Sequence, residues 1–66
     1  MYAIEKHPSG DATVTVGDGP IDDLLDVIDQ LRTDATAVKV VAAGPEFAHR
    51  AELVDRLLYD VGFDVR

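Results

Sequence analysis

Few residues of this 66-residue chain have the types and spacing that could carry out chemistry. Gly44, His49 and Arg50 lie where an apolar segment ends and a helical pattern begins. The N-terminus of a helix presents unpaired N–H groups and the positive end of its dipole, so it can bind an anion such as a phosphate. The predicted ligand-binding residues are therefore Gly44, His49 and Arg50.

The same segment also has a purely structural interpretation. Pro45 lacks one of the N–H groups that an anion would use. Glu46 places a carboxylate where the anion would lie, and it also precedes Arg50 by four residues. That order favours an ion pair along a helix. A simple turn from strand to helix is the favoured interpretation, and the anion site stays open as the alternative.

The other polar residues predict neither a catalytic site nor a metal site. The chain has no cysteine, and its two histidines, His7 and His49, lie far apart in sequence. Ser9 lies close to His7 in a turn, but no acid is evident that would orient the imidazole. The acidic residues of the first helix follow a convex surface, on which carboxylates diverge instead of converging on a cation. We therefore predict a non-enzymatic protein without a metal or a cofactor.

The charge composition is strongly acidic. Thirteen acidic residues face six basic ones, which gives a net charge of −7, and ten of the acids are aspartate. A dense set of short carboxylates with little lysine is typical of a protein kept soluble in concentrated salt. The net charge disfavours nucleic acid as a partner, because affinity for nucleic acid depends on neutralising phosphates. No apolar run is long enough to span a bilayer, and no signal peptide is evident, so we expect a cytoplasmic location.

Hydrophobic periodicity predicts the order β-β-α-β-α-β. Tyr2 to His7 and Ala12 to Val16 alternate as strands, and the turn residues between them predict a hairpin. A nearly continuous apolar strand follows the first helix, and Gly62 marks the end of the second helix. The predicted later elements are a helix from Pro20 to about Thr33, a strand at Ala37–Ala43, a helix from Pro45 to Val61 and a strand at Phe63–Arg66.

Apolar residues at helical spacing predict which side of each helix is buried. For the first helix they are Ile21, Leu24, Leu25, Ile28 and Leu31, and for the second they are Phe47, Ala51, Val54, Leu57, Leu58 and Val61.

These elements predict one domain over residues 1–66, with an α/β fold of the α+β type. It is a two-layer sandwich in which a four-stranded mixed sheet carries both helices on one face. The other face would carry Thr13, Thr15, Lys39 and Val41, together with Ala3. Such a face, half polar and half apolar, is either solvated or paired with a second copy. Thr13, Thr15, Lys39 and Val41 are thus the predicted interface residues.

From Ile4 to Val65 the layout resembles the soluble domain of the ExbD/TolR family. Thr13–Ile21 resembles the exit of that family's hairpin, and Val38–Ala43 resembles its central strand. Glu52–Leu58, with the Val61-Gly62-Phe63 turn, resembles its second helix. The resemblance implies a domain that dimerises beside a membrane motor. The sequence departs from the family in lacking its transmembrane helix and its essential acidic residue, and in having Gly44 where an aspartate usually follows the central strand.

The leading functional prediction is a small acidic domain from a salt-adapted source that acts through protein–protein contact, as a homodimer. The second half of the chain also resembles an Alba-type nucleic-acid-binding domain, although that family's basic loop has no counterpart here. Two alternatives therefore stay open. One is a nucleic-acid-associated domain that works at high salt through Lys39, Arg50 and Arg66, and the other is anion or nucleotide binding at Gly44 to Arg50.

Overall fold

A computed structural model describes residues 2–20, 22–34 and 37–66. The fold is of the α+β type, with a mixed three-stranded sheet in the order β1-β2-β3 and two helices. This agrees with the predicted class. The elements are β1 (Tyr2–Lys6), β2 (Asp11–Val16), α1 (Asp22–Asp34), β3 (Ala37–Ala42), a 3-10 turn (Pro45–Phe47) and α2 (Ala48–Val61).

The predicted hairpin is confirmed. β1 and β2 pair antiparallel, and Ile4 lies opposite Val14. In the connecting turn, the N–H of His7 donates to the carbonyl of Asp11 at 2.8 Å, and the N–H of Gly10 donates to the carbonyl of His7 at 3.0 Å. β2 also pairs with β3 in parallel, so the hairpin's second strand is the centre of the sheet.

The predicted fourth strand at Phe63–Arg66 is not confirmed. A single parallel bridge joins Val65 to Val38 on the outer side of β3. It consists of two hydrogen bonds of 2.8 Å, from the Val38 N–H to the Asp64 carbonyl and from the Arg66 N–H to the Val38 carbonyl. The N–H of Phe63 is instead bonded to the carbonyl of Leu58, at the end of α2. Because Phe63 still belongs to the helix end, only the residues after it reach the sheet.

The hydrophobic core combines residues of the sheet with residues of both helices. Along β2 the side chains alternate strictly, since Ala12, Val14 and Val16 are buried while Thr13 and Thr15 are half-buried. The buried cluster consists of Ala12, Val14, Val16, Leu24, Val27, Leu31, Val38, Ala51, Val54 and Leu58. Its members come from β2, β3, α1 and α2, and Tyr2 and Ile4 of β1 pack against it.

The apolar stripe of α1 is narrower than predicted and is centred differently. Leu24, Val27 and Leu31 are buried, Ile28 packs at the margin, and Leu25 is 63% exposed. A helix turns about 100° per residue, so Leu24 and Leu31 point almost the same way and Leu25 points well to one side. The prediction that Leu25 is buried was wrong, and the burial of Val27 was not predicted. The prediction counted apolar residues by their spacing and did not take into account the angle at which each one lies around the helix axis. The predicted Ile21 lies outside the described residues.

The stripe of α2 shows the same effect. Ala51, Val54 and Leu58 are buried, whereas Leu57 is 40% exposed and Val61 is also exposed. Leu57 lies about 100° from Leu58 around the helix axis, so the sheet receives only one of the two adjacent leucines. Leu57 instead lines a cavity at the surface.

Gly62 ends α2 in a backbone conformation that L-residues rarely adopt. Its φ is 114°, and its N–H donates to the carbonyls of Leu58 and Tyr59. We expect Gly62→Ala to lower the free energy of unfolding by about 1–2 kcal/mol, because a Cβ is strained at this φ. No atom within 4 Å would meet that Cβ, so the loss comes from the backbone alone. Urea denaturation measures it.

Gly44→Ala is the matched control for that experiment. Gly44 has an extended backbone that any residue adopts, with φ −161°. A Cβ there would come within 2.8 Å of Glu46 Oε2, the mobile end of a long side chain that can turn away. A loss at Gly44 as large as the loss at Gly62 would contradict the role given to the φ of Gly62.

Candidate functional site

One candidate site is the face of the sheet that points away from the core, which we call the open face. Strand register places its side chains in two rows across the three strands. Glu5, Thr13 and Lys39 form the first row. Ala3, Thr15 and Val41 form the second row. The structure thus brings the four predicted interface residues together, in register, and adds Ala3 and Glu5 from β1.

The first row carries opposite charges at its two ends. Glu5 lies on one outer strand and Lys39 on the other, roughly 10 Å apart across two strand spacings. Thr13 separates them on the central strand, and the second row carries no charge. The open face is therefore acidic at β1 and basic at β3. The side chains between these two ends are small and only weakly polar.

His7 lies at the end of the open face, beside the first row. Its Nε2 is 2.9 Å from Thr13 Oγ1, and its Nδ1 is 3.9 Å from Glu5 Oε1. Hydroxyl, imidazole and carboxylate thus follow one another in the order of a hydrolytic triad. The Glu5–His7 distance exceeds that of a hydrogen bond, so the carboxylate does not fix the imidazole as a triad acid would. The sequence had placed His7 near Ser9, and the structure instead pairs it with Thr13.

A shallow cavity of about 240 Å³ opens next to this pair. Lys39 and Arg66 line it together with His7 and Asp11. Arg66 also forms an ion pair with Asp64 at 3.1 Å. Two of the three residues predicted for nucleic-acid binding, Lys39 and Arg66, thus meet here, but Arg50 lines a different cavity. Nucleic-acid binding stays a prediction.

The second cavity, which we call the Arg50 cavity, has a volume of about 300 Å³. Its walls combine aliphatic side chains with two basic ones at the start of α2. The lining residues are Tyr2, Gly19, His49, Arg50, Leu53, Val54 and Leu57. Two of the three predicted ligand-binding residues, His49 and Arg50, are therefore together, but Gly44 is not among the residues that line the cavity.

Arg50 connects α2 to the loop that precedes α1. Its Nη1 donates to the carbonyl of Gly19 at 2.6 Å. The predicted ion pair of Arg50 with Glu46 is not formed within the described part of the chain. The Glu46 carboxylate lies against Gly44, where its Oε2 would be 2.8 Å from an added Cβ. The two predictions for this segment were an anion site and a simple turn. The carboxylate of Glu46 lies in the region of Gly44 where the anion had been predicted.

The hydroxyl of Tyr2 is buried and has no hydrogen-bond partner among the residues that the structure describes. A buried polar group left in this state costs about 1–3 kcal/mol, so such groups are rare in folded proteins. Tyr2 lines the Arg50 cavity and also a cavity of about 250 Å³ that borders Asp23 and Asp26 of α1. Tyr2 thus contributes to both a cavity with basic residues and a cavity with acidic ones.

Sequence patterns had not indicated Tyr2, Gly19, Leu53 or Leu57 as members of a site. Gly19 and Arg50 are 31 residues apart, and the N-terminal strand contributes Tyr2. Only the packing of α2 near the hairpin and the loop after β2 brings these segments together. The one available signal was a surplus of apolar residues on α2, since Leu53 and Leu57 add a second apolar row beside the buried one.

Among residues 2–20, 22–34 and 37–66, none of the helices has the length and apolar character required to cross a membrane. Over the same residues, no group of three or more histidine, aspartate or glutamate side chains is arranged to hold a metal ion. Comparison with protein families, with curated proteins and with solved structures finds no match.

Proposed function

We propose that this protein is a non-enzymatic interaction domain that pairs with a second copy of itself through the open face. The observation that carries the proposal is the two-row register, with Glu5 and Lys39 at opposite ends of one row. We also take both helices to cover the other side of the sheet, since one core cluster contains residues of both. The resemblance to the ExbD/TolR domain, which implies dimerisation, points the same way.

The open face is complementary to itself. A two-fold axis along β2 would exchange the two outer strands between protomers, so Glu5 would face the partner's Lys39 and Lys39 would face the partner's Glu5. Thr13 would meet the partner's Thr13 on the axis, and Ala3 would meet the partner's Val41. Self-complementary pairing of one patch is the usual arrangement of a two-fold dimer. The strands of the two sheets would run nearly aligned, as in common sheet-on-sheet packing.

The size of the face makes the proposed dimer weak. Three strands spaced about 4.8 Å apart and five residues long cover roughly 14 Å by 17 Å. Such an area falls well below the roughly 1,200 Å² that stable specific interfaces bury in total, so association would be weak and transient. Dimer formation should therefore depend visibly on protein concentration.

Salt would favour this dimer. Each protomer carries a net charge of −7, so two protomers repel each other in dilute buffer. The described acidic side chains are exposed or half-buried, and none is buried. Molar salt shortens the screening length to about 3 Å, which removes the long-range repulsion and leaves contacts between touching groups. This behaviour fits the proposed salt-adapted source.

Charge reversal at the two ends of the first row tests the pairing. We expect Glu5→Lys and Lys39→Glu each to raise the dimer dissociation constant about fivefold or more, because each creates two like-charge contacts. The double variant restores opposite charges and should recover most of the affinity. Sedimentation equilibrium at a fixed KCl concentration measures the constant.

The two single variants control for net charge. Glu5→Lys changes the net charge from −7 to −5, and Lys39→Glu changes it from −7 to −9. General repulsion would make the first variant dimerise better than the native chain and the second worse. That opposite pattern, or equal constants for all four chains, would show that Glu5 and Lys39 do not meet across the interface.

A further inference from the structure

We propose that the Arg50 cavity binds a small amphipathic carboxylate, with the charged group at Arg50 and His49 and a short apolar tail along Leu53 and Leu57. This inference is independent of pairing through the open face. It differs from the sequence-based anion site because it uses Tyr2 and the loop at Gly19 in place of Gly44.

The apolar part of the ligand is indicated by the cavity walls. Leu53 and Leu57 lie one turn apart on α2 and are 51% and 40% exposed. Val54, which is buried, and Tyr2 complete the apolar lining. A volume of about 300 Å³ is at the small end of the range for ligand pockets, which are lined mainly by apolar side chains with a few polar groups. A tail of several carbon atoms would cover the two leucines.

The charged part is indicated by the basic residues at the start of α2. Arg50 uses one N–H on the Gly19 carbonyl, and a guanidinium has five. The donors that remain, with the His49 ring, offer charge-assisted hydrogen bonds to a carboxylate. Because the whole chain carries −7, a singly charged head is repelled less than a doubly charged phosphate. A bare anion would gain nothing from the aliphatic walls.

The proposal also uses the hydroxyl of Tyr2, a residue that lines the Arg50 cavity. This hydroxyl is closed off from solvent in the free protein and has no acceptor among the described residues. A carboxylate has two oxygens, so it can accept from Arg50 and still offer an acceptor to Tyr2 once a neighbouring side chain turns aside. Binding would then satisfy a group that the free protein leaves unsatisfied.

Titration of the ¹⁵N-labelled full chain with hexanoate, at constant molar KCl, tests the proposal. We expect saturable shifts of the amide signals of Gly19, Arg50, Leu53 and Leu57. Acetate, which lacks the tail, and hexanol, which lacks the charge, should each produce much smaller shifts at equal concentration. Equal shifts with acetate, or no saturable shifts with hexanoate, would overturn the proposal.

Variants assign the contacts. Arg50→Gln should weaken hexanoate binding about tenfold through the loss of charge-assisted hydrogen bonds. Arg56→Gln is the matched control, because Arg56 is exposed on the same helix and does not line the cavity. Leu53→Gln should also weaken binding, while Leu25→Gln, at an exposed leucine of α1, should not. Equal effects in either pair would contradict the site.

Tyr2→Phe separates a ligand contact from a folding defect. Removal of the unpartnered hydroxyl should raise the urea midpoint of the free protein, and it should weaken hexanoate binding about threefold or more, because a hydrogen bond to a charged group is lost. A raised midpoint with unchanged affinity would contradict the part given to the hydroxyl. An unchanged molecular mass in solution for all these variants would show that the changes in hexanoate binding do not come from dimerisation.

Discussion

Leu58→Ala is expected to remove a large share of the protein's stability. Leu58 is completely buried and belongs to the core cluster. Truncation of a buried leucine to alanine lowers the free energy of unfolding by about 2–5 kcal/mol. A chain of 66 residues has a total stability of only about 3–10 kcal/mol. Urea denaturation followed by circular dichroism, at one protein and salt concentration, measures the loss.

Leu57→Ala is the matched control, since it makes the same change one residue earlier in the same helix. Leu57 is 40% exposed, and its loss should lower the free energy of unfolding by no more than about 1 kcal/mol. If both variants lost the same stability, α2 would be rotated from the orientation described here. If only Leu57→Ala unfolded, the inner and outer rows of α2 would be exchanged.

Val41→Asp is expected to leave the protein folded and monomeric. Val41 is half-buried on the open face of the isolated chain, in the uncharged row with Ala3 and Thr15. In the proposed dimer its carboxylate would be removed from water twice without a partner. An unpaired charge in an interface costs several kcal/mol, which raises the dissociation constant on the order of 100-fold or more. Analytical ultracentrifugation measures the change.

Val61→Asp controls for the added charge. Val61 is exposed at the end of α2 and lies outside the open face, so its substitution changes the net charge equally and should leave the dissociation constant unchanged. Ala3→Asp, at an exposed residue of the same row as Val41, is the second variant if Val41→Asp fails to fold. A folded Val41→Asp or Ala3→Asp chain that dimerises as strongly as the native chain would exclude the open face.

Local patterns were sufficient to predict the hairpin and which residues of the sheet share a face. Strict alternation in Ala12–Val16 fixes which side chains share a face, and register follows from the short turn at residues 7–11. Thr13, Thr15, Lys39 and Val41 therefore fell on one face as predicted. Burial along the helices was harder, because Leu57 and Leu58 are chemically identical and only the angle of α2 on the sheet distinguishes them.

The sequence did not predict the contacts between distant segments. A helix-start pattern drew attention to Gly44, but the partner of Arg50 is a carbonyl 31 residues away. Nothing in the run of residues around Tyr2 indicates a buried hydroxyl without an acceptor. The predicted fourth strand failed for a similar reason. The N–H of Phe63 bonds to the end of α2, so one bridge to β3 is all that remains of the strand.

The most direct test of pairing through the open face is the mass in solution, measured by light scattering from dilute to molar KCl over a range of protein concentrations. We predict that the folded native chain moves from its monomer mass of 7.1 kDa toward twice that value as salt and protein concentration rise. Val41→Asp should remain at the monomer mass throughout. A folded native chain that stays at 7.1 kDa under every condition would contradict the homodimer.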